Sequence, residues 1–282
     1  MSKMRDEMRG LFKDSWIHSP SRELECWKTG GIQAEKNLRR FHRGDRILEI
    51  AGFVKLSAID FPGKLSCIVF VQGCNLRCIY CHNAHLIPFK KGKIHSESII
   101  SYISENREFL DGIVVTGGEP LAQKDIRDFL EKVKKLGISV KIDTNGFFPE
   151  ELRRLIQLGL VDYVAMDVKA PLTPEEYSFI AGRKICERDI DRLRRTISLL
   201  SHEGISCEFR TTIIESYHTL ERVERIVNEL PPNSTYFLQQ FVSRDYLRIK
   251  EGTTNKEYIL KLVEFLREKY GSGLRIEPRI YE

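Results

Sequence analysis

From about Ile47 onward the chain repeats one unit: a short run rich in Val, Ile, Phe and Tyr, followed by a stretch with an apolar residue every three to four positions. The short runs are Ser66 to Gln72, Ile113 to Val115, Ile138 to Ile142, Tyr163 to Met166, Glu208 to Ile214 and Tyr236 to Phe241, and they read as strands. Between them, Ile126, Phe129, Leu130, Val133 and Leu136 form a helical stripe closed by Gly137. Ile190, Leu193, Ile197 and Leu200 form a second closed by Gly204, and Leu220, Val223, Val227 and Leu230 a third stopped by Pro231-Pro232. Such alternation implies parallel strands, because a helix must carry the chain back before each new strand begins. Apolar runs without polar alternation fit strands covered on both faces. The expected fold class is therefore α/β, an open or closed barrel, with its chemistry at the carboxyl ends of the strands.

Charge divides the chain. Residues 1 to 46 hold 11 Lys+Arg against 7 Asp+Glu, or +4, of a total of 45 against 40, or +5; the remainder is 34 against 33, or +1. A near-neutral body argues against a broad nucleic-acid surface. The first segment also carries both tryptophans, Trp16 and Trp27, has no apolar period, and is broken at Ser19-Pro20-Ser21 and Gly30-Gly31. We read 1–46 as a basic extension on a core domain of residues 47–282. It either docks a partner or precedes a functional start near Leu48. No run approaches the roughly 20 apolar residues of a membrane helix, and the charged start lacks a signal-peptide core, so the expected location is the cytoplasm, with no membrane partner.

Three of the seven cysteines, Cys74, Cys78 and Cys81, fall in one Cys-x3-Cys-x2-Cys run directly after the first strand, while Cys26, Cys67, Cys186 and Cys207 are scattered. In a reducing compartment a tight thiol group reads as a metal site. Three thiolates on one loop bind three irons of a cubane and leave the fourth iron open to another ligand. The competing reading is a zinc Cys3His site with His85. Cys67 and Cys207 read as small core hydrophobes. His82 and His85 orient the loop or lie on the surface, and His218 could help cap a helix beginning near Thr219.

The next strand ends in Thr116-Gly117-Gly118-Glu119-Pro120. The glycines let backbone approach a ligand, and Glu119 offers a carboxylate to an ammonium; the plainer reading is a strand-to-helix turn. Two further strands run into Asp143-Thr144-Asn145-Gly146 and Met166-Asp167-Val168-Lys169-Ala170-Pro171. Each is a polar turn or, taken together, a pair of carboxylates sharing a cation.

With Tyr80 before its third cysteine and Gly-Gly-Glu-Pro downstream, the sequence resembles the radical S-adenosylmethionine (SAM) superfamily. Gly52-Phe53-Val54-Lys55-Leu56-Ser57, Asp60-Phe61-Pro62-Gly63-Lys64 and Tyr236 to Phe241 extend the resemblance to glycyl-radical-enzyme activating enzymes, in particular the short anaerobic ribonucleoside-triphosphate reductase activating proteins. The resemblance implies a partial (β/α)6 barrel of the radical SAM type. It implies one [4Fe-4S] cluster on Cys74, Cys78 and Cys81, with SAM on the fourth iron, cleaved reductively to methionine and a hydrogen-abstracting 5′-deoxyadenosyl radical. SAM would meet Tyr80, Cys81, His82, Gly117, Gly118 and Glu119, with its carboxylate at Lys169 and Arg210.

A monovalent cation would sit at Asp143, Thr144, Ala165 and Asp167. The implied partners are a glycyl-radical enzyme as protein substrate and a flavodoxin or ferredoxin as electron donor, in an anaerobic setting. Arg210 is the preferred carboxylate ligand, since a guanidinium in an apolar strand needs either a ligand or a structural acid. Gln240-Phe241 stands where pyruvate formate-lyase activators place a histidine, and no second cysteine-rich insert separates Cys81 from Gly117. The same motifs also resemble 7-carboxy-7-deazaguanine synthases, which act on a small molecule. A non-catalytic zinc-binding module is the third reading.

Overall fold

The computed structural model describes residues 48–281. The 1–46 extension, with Trp16, Cys26 and Trp27, lies outside the described residues. The strands are β1 (Ile50–Phe61), β2 (Lys64–Val71), β3 (Gly112–Gly117), β4 (Ser139–Thr144), β5 (Tyr163–Asp167), β6 (Ser206–Ile213), β7 (Thr235–Gln240) and β8 (Arg275–Arg279). The helices are α1 (Ser96–Asn106), α2 (Ile126–Lys135), α3 (Pro149–Gln157), α4 (Pro174–Ala181), α5 (Glu187–His202), α6 (Leu220–Val227) and α7 (Lys256–Tyr270). The eight strands form one sheet in chain order. β1 and β2 are an antiparallel hairpin, and β2 through β8 are all parallel. Each parallel step is made by a helical crossover, so six strand–helix units are followed by a closing strand. β8 does not bond to β1, and the barrel is open along that seam.

The two edge strands escape the apolar-run pattern for a physical reason. An edge strand is covered on fewer sides and tolerates charge and proline. β8 reads Arg-Ile-Glu-Pro-Arg, and much of β1 is exposed, including Leu56 and Ile59. The short helices α3 and α4 show their starts instead through Pro at the first turn with two acidic residues beside it.

The expected burial of both sheet faces is corrected by the structure. Alternate residues Cys67, Val69, Val71, Ile113, Val115, Val140, Ile142, Val164, Met166, Phe209, Tyr236, Leu238 and Ile276 point to the helices and are buried. Each such large side chain contributes about 1.5–3 kcal/mol on burial. The opposite, concave face has an apolar plug toward the amino ends of the strands, where Phe61, Ile68 and Val114 pack with Phe70 and Tyr163. Beyond that plug it carries Lys141, Asp143, Asp167, Glu208, Arg210, Gln239 and Arg279. Strands β4, β6 and β8 thus alternate apolar or small residues with charged ones, with the charges facing inward.

Candidate active site at the carboxyl ends of the strands

The loop after β2 has little regular structure, so its backbone groups find partners elsewhere. Gly73 N–H donates to Leu86 O (2.7 Å), Cys74 N–H to Ile87 O (3.0 Å), Arg77 N–H to Ala181 O (2.9 Å) and Ile79 N–H to Ile180 O (3.1 Å). On the other side, Ile249 N–H donates to Ile79 O at 3.2 Å, and His82 Nε2 lies 2.7 Å from Val242 O. Gly182, at φ +63°, fits against Arg77, where a Cβ would stand 2.0 Å from Arg77 O. The loop is therefore clamped between the end of α4 and the segment after β7.

Its three cysteines carry free thiols. Burial pushes Cys74 up to about 12, Cys78 to about 11 and Cys81 upward as well; Cys74 feels the charge of Cys78, and Cys78 that of Cys81. Three adjacent soft donors on a braced loop suit an iron–sulfur cluster, whose binding must displace their protons. Among the described residues no three His, Cys, Asp or Glu side chains converge on a single-ion position. His85 is exposed, and its carbonyl accepts from Gln72 Nε2 (3.2 Å). The Cys3His arrangement is not assembled.

The Gly-Gly-Glu turn meets this loop backbone to backbone. Gly118 N–H donates to Val71 O (2.9 Å) and Glu119 N–H to Gly73 O (2.8 Å). A Cβ on Gly118 would lie 2.1 Å from Gly73 O, and one on Gly117, at φ +108°, 2.7 Å from Val71 N. The glycines are required first by this internal contact. Glu119 is 1% exposed. Its Oε1 accepts from Leu121 N–H (3.1 Å) and the Thr144 hydroxyl (2.7 Å), and Oε2 accepts from Asn145 N–H (2.8 Å). Burial raises its pKa to about 7 despite these three donors. Oε2 keeps a lone pair beyond its single donor. Asn145 Nδ2 donates to Asn75 Oδ1 at 2.7 Å and lies 3.9 Å from Cys74 Sγ. Sequence reasoning did not single out Asn75 or Asn145; the signal was the Asn of Asp-Thr-Asn-Gly, read there as a turn residue.

On the concave face Arg210 is the centre of an ion-pair network. Its Nε donates to Asp167 Oδ1 (2.9 Å), and its Nη1 lies 3.4 Å from Asp143 Oδ2 and 3.8 Å from Glu208 Oε1. Lys169 Nζ donates to Asp167 Oδ2 at 2.9 Å and stands 6.0 Å from the Tyr80 ring centre. Glu208 is also bonded by Arg279 (3.2 Å) and by the Tyr163 hydroxyl (2.9 Å). Burial alone would raise the carboxyl pKa values, yet Arg210 with Lys169 holds Asp167, and Arg210 with Lys141 holds Asp143, below the usual carboxylate range. Burial opposes charge on Lys169 and Arg210, and their acidic neighbours outweigh it and raise both. Ala165 sits between Asp143 and Glu208 in register and is fully buried.

His218 does not cap a helix. It is fully buried, its Nδ1 accepting from Ile214 N–H (2.9 Å), which leaves Nε2–H to donate to Lys169 O (3.1 Å). Burial lowers its pKa to about 4, so the ring is neutral. It ties the loop after β5 to the loop after β6, while Thr219 caps α6. Open concavities near Asn233 and Gly273, and near Lys64 and Asp111, lie at the amino ends of the strands, away from these groups.

Residues 68–230 match the radical SAM superfamily. A protein of Methanocaldococcus jannaschii, assigned as a glycyl-radical enzyme activating enzyme, is 36% identical over 225 residues, covering 78% of this chain and 92% of that one. The pyruvate formate-lyase-activating enzyme of Clostridium pasteurianum is 26% identical over 76% of this chain and 94% of its own length. The pyruvate formate-lyase 1-activating enzyme of Escherichia coli is 33% identical over 129 residues, 43% of this chain and about half (51%) of that protein. Among solved structures, SuiB of Streptococcus suis bound to S-adenosylmethionine superposes with a TM-score of 0.59 at 13% identity, over 74% of this chain and 48% of that one. The AdoMet-bound anSMEcpe gives 0.53 at 17% identity, over 74% and 61%. At these identities the structural likeness is one of fold.

Proposed function

Because this chain belongs to the radical SAM superfamily, and within it to the glycyl-radical-enzyme activating enzymes, we propose that it takes a hydrogen atom from a glycine Cα of a partner glycyl-radical enzyme. The family implies a [4Fe-4S] cluster and SAM; we assign the cluster to Cys74, Cys78 and Cys81. When bound, cluster and SAM together supply one-electron cleavage of the sulfonium and the hydrogen-abstracting power. The chain supplies position and exclusion of water.

The observation that carries this reading is one of placement. The three free thiols, the open lone pair of Glu119 and the Lys169–Arg210 network share the carboxyl rim of an open sheet. Glu119 would accept from the SAM ammonium, and Lys169 and Arg210 would take its carboxylate, as charge-assisted contacts. Tyr80, Cys81 and His82 would line the near side, and Gly117 and Gly118 would hold the two loops together. The seam between β8 and β1 would admit a glycine-bearing loop of a large protein.

Anaerobic ribonucleotide reductase is the partner we assign, with a flavodoxin or ferredoxin as donor, in the cytoplasm. Among the described residues no helix is long and apolar enough to cross a membrane. The test is anaerobic incubation of the reconstituted protein with SAM, reductant and the candidate partner, read by EPR. A glycyl doublet that requires the partner supports the assignment. Turnover of a free heterocycle instead would point to a small-molecule enzyme like the 7-carboxy-7-deazaguanine synthases, and a colourless stoichiometric zinc protein to the non-catalytic reading.

A further inference from the structure

The concave network carries a charge excess. Its acids are Asp143, Asp167 and Glu208 and its cations Lys141, Lys169, Arg210 and Arg279, joined by contacts of 2.9 to 3.8 Å. Four cations against three acids leave +1. That excess suits one added carboxylate and opposes one added metal ion.

The two carboxylates expected at a monovalent cation are already engaged. The two Asp167 oxygens accept from Arg210 and Lys169 at 2.9 Å each. Asp143 faces Arg210 through Oδ2 and Lys141 through Oδ1. Lys141 is the unusual member, an ammonium inside the apolar stretch Val140 to Ile142, with its side chain 3% exposed. Two positions before Asp143 on β4, it shares the concave face. Its Nζ donates to Asp60 O at 2.6 Å and stands 2.9 Å from Asp143 Oδ1. At 2.9 Å the ammonium is the nearest positive charge to that buried oxygen and supplies the charge a bound cation would otherwise bring.

We propose that Lys141 is a tethered counter-ion to Asp143 that stands in for a dissociable monovalent cation, so that the SAM-carboxylate end of the site works without Na⁺ or K⁺. The proposal rests on the reading that Lys169 and Arg210 meet the SAM carboxylate.

Two readouts keep the claims apart. SAM affinity of the anaerobically reconstituted protein, by equilibrium dialysis, should agree within about twofold between choline chloride and KCl or NaCl of equal ionic strength. Lys141→Met should bind about tenfold more weakly in choline and recover with K⁺ or Na⁺. Independently of SAM, the thermal midpoint of Lys141→Met should rise when K⁺ or Na⁺ replaces choline, while the parent, Lys141→Arg and the double variant Lys141→Met/Asp143→Asn should not respond. A parent whose affinity or midpoint depends on K⁺ or Na⁺ overturns the proposal, as does a Lys141→Met insensitive to cation in both readouts. If the midpoint pattern holds but no form binds SAM, the counter-ion role stands and the SAM reading falls.

Discussion

Replacing Arg210 by methionine removes the guanidinium that three carboxylates share. At an effective dielectric of about 20, its contacts of 2.9, 3.4 and 3.8 Å each represent roughly 4–6 kcal/mol of gross attraction. Desolvation of the buried guanidinium offsets most of this, and removing one partner of such a group costs about 3–5 kcal/mol net. Lys141, Lys169 and Arg279 stay beside the orphaned acids, so the loss should fall near the lower end, about 3 kcal/mol at pH 7.

The sign of its pH dependence follows from the carboxyls. Arg210 helps hold Asp143 and Asp167 below their ordinary 3.8, so the stability they contribute is present above that pH and is lost as pH falls through the lowered values. In the variant these acids take up protons more readily, and its deficit should shrink as pH falls below 4. Urea unfolding followed by circular dichroism, from pH 3 to 8, reads both quantities. Adding Asp167→Asn should recover part of the loss. A deficit below about 1 kcal/mol at pH 7, or one equal at pH 3 and pH 7, would refute the reasoning. Because the same variant mixes stability with ligand binding, SAM affinities at this position are meaningful only beside the unfolding data.

Gly118→Ala places a methyl 2.1 Å from Gly73 O and must part the two loops; we expect about 2–3 kcal/mol of destabilisation by chemical denaturation, together with substoichiometric iron. Cys78→Ala should leave a folded protein that assembles no [4Fe-4S] cluster, seen as loss of the visible absorbance and of bound sulfide. His218 is neutral in the fold, with its pKa lowered from 6.5 to about 4, so stability is full above pH 6.5 and falls by about 3 kcal/mol as pH drops to 4. That slope should vanish in His218→Gln. It is read as the difference between parent and variant, because Glu119, with a raised pKa, acts with the opposite sign in the same window.

Much of this site was legible because its determinants are local in sequence. The cysteine spacing lies on one loop, and the Gly-Gly-Glu and Asp-Thr-Asn-Gly turns each follow an apolar strand. What stayed hidden depends on register. Asp167 lies beside Arg210 only because β5 pairs with β6 in that alignment, 43 residues apart in the chain. That is why Arg210, expected at a ligand, is found held by structural acids as well. Lys141 reads as an interruption in an apolar strand until the concave face gives it Asp143 and Asp60. Hairpin strand β1 and closing strand β8 are missed because edges need no apolar run. The glycines of the Gly-Gly-Glu turn read as places for ligand approach, whereas their missing side chains first make room for the chain's own backbone, at Gly73 beside Gly118 and at Phe70–Val71 beside Gly117.

The central claim is hydrogen transfer from a protein glycine, and isotope tracing tests it most directly. The partner enzyme, expressed with α-deuterated glycine, is incubated anaerobically with the reconstituted protein, SAM and reductant, and the released 5′-deoxyadenosine is analysed by mass spectrometry. Transfer of one deuterium into 5′-deoxyadenosine, in step with a glycyl EPR signal on the partner, is the predicted result. 5′-Deoxyadenosine free of deuterium, formed at the same rate with and without the partner, would contradict it.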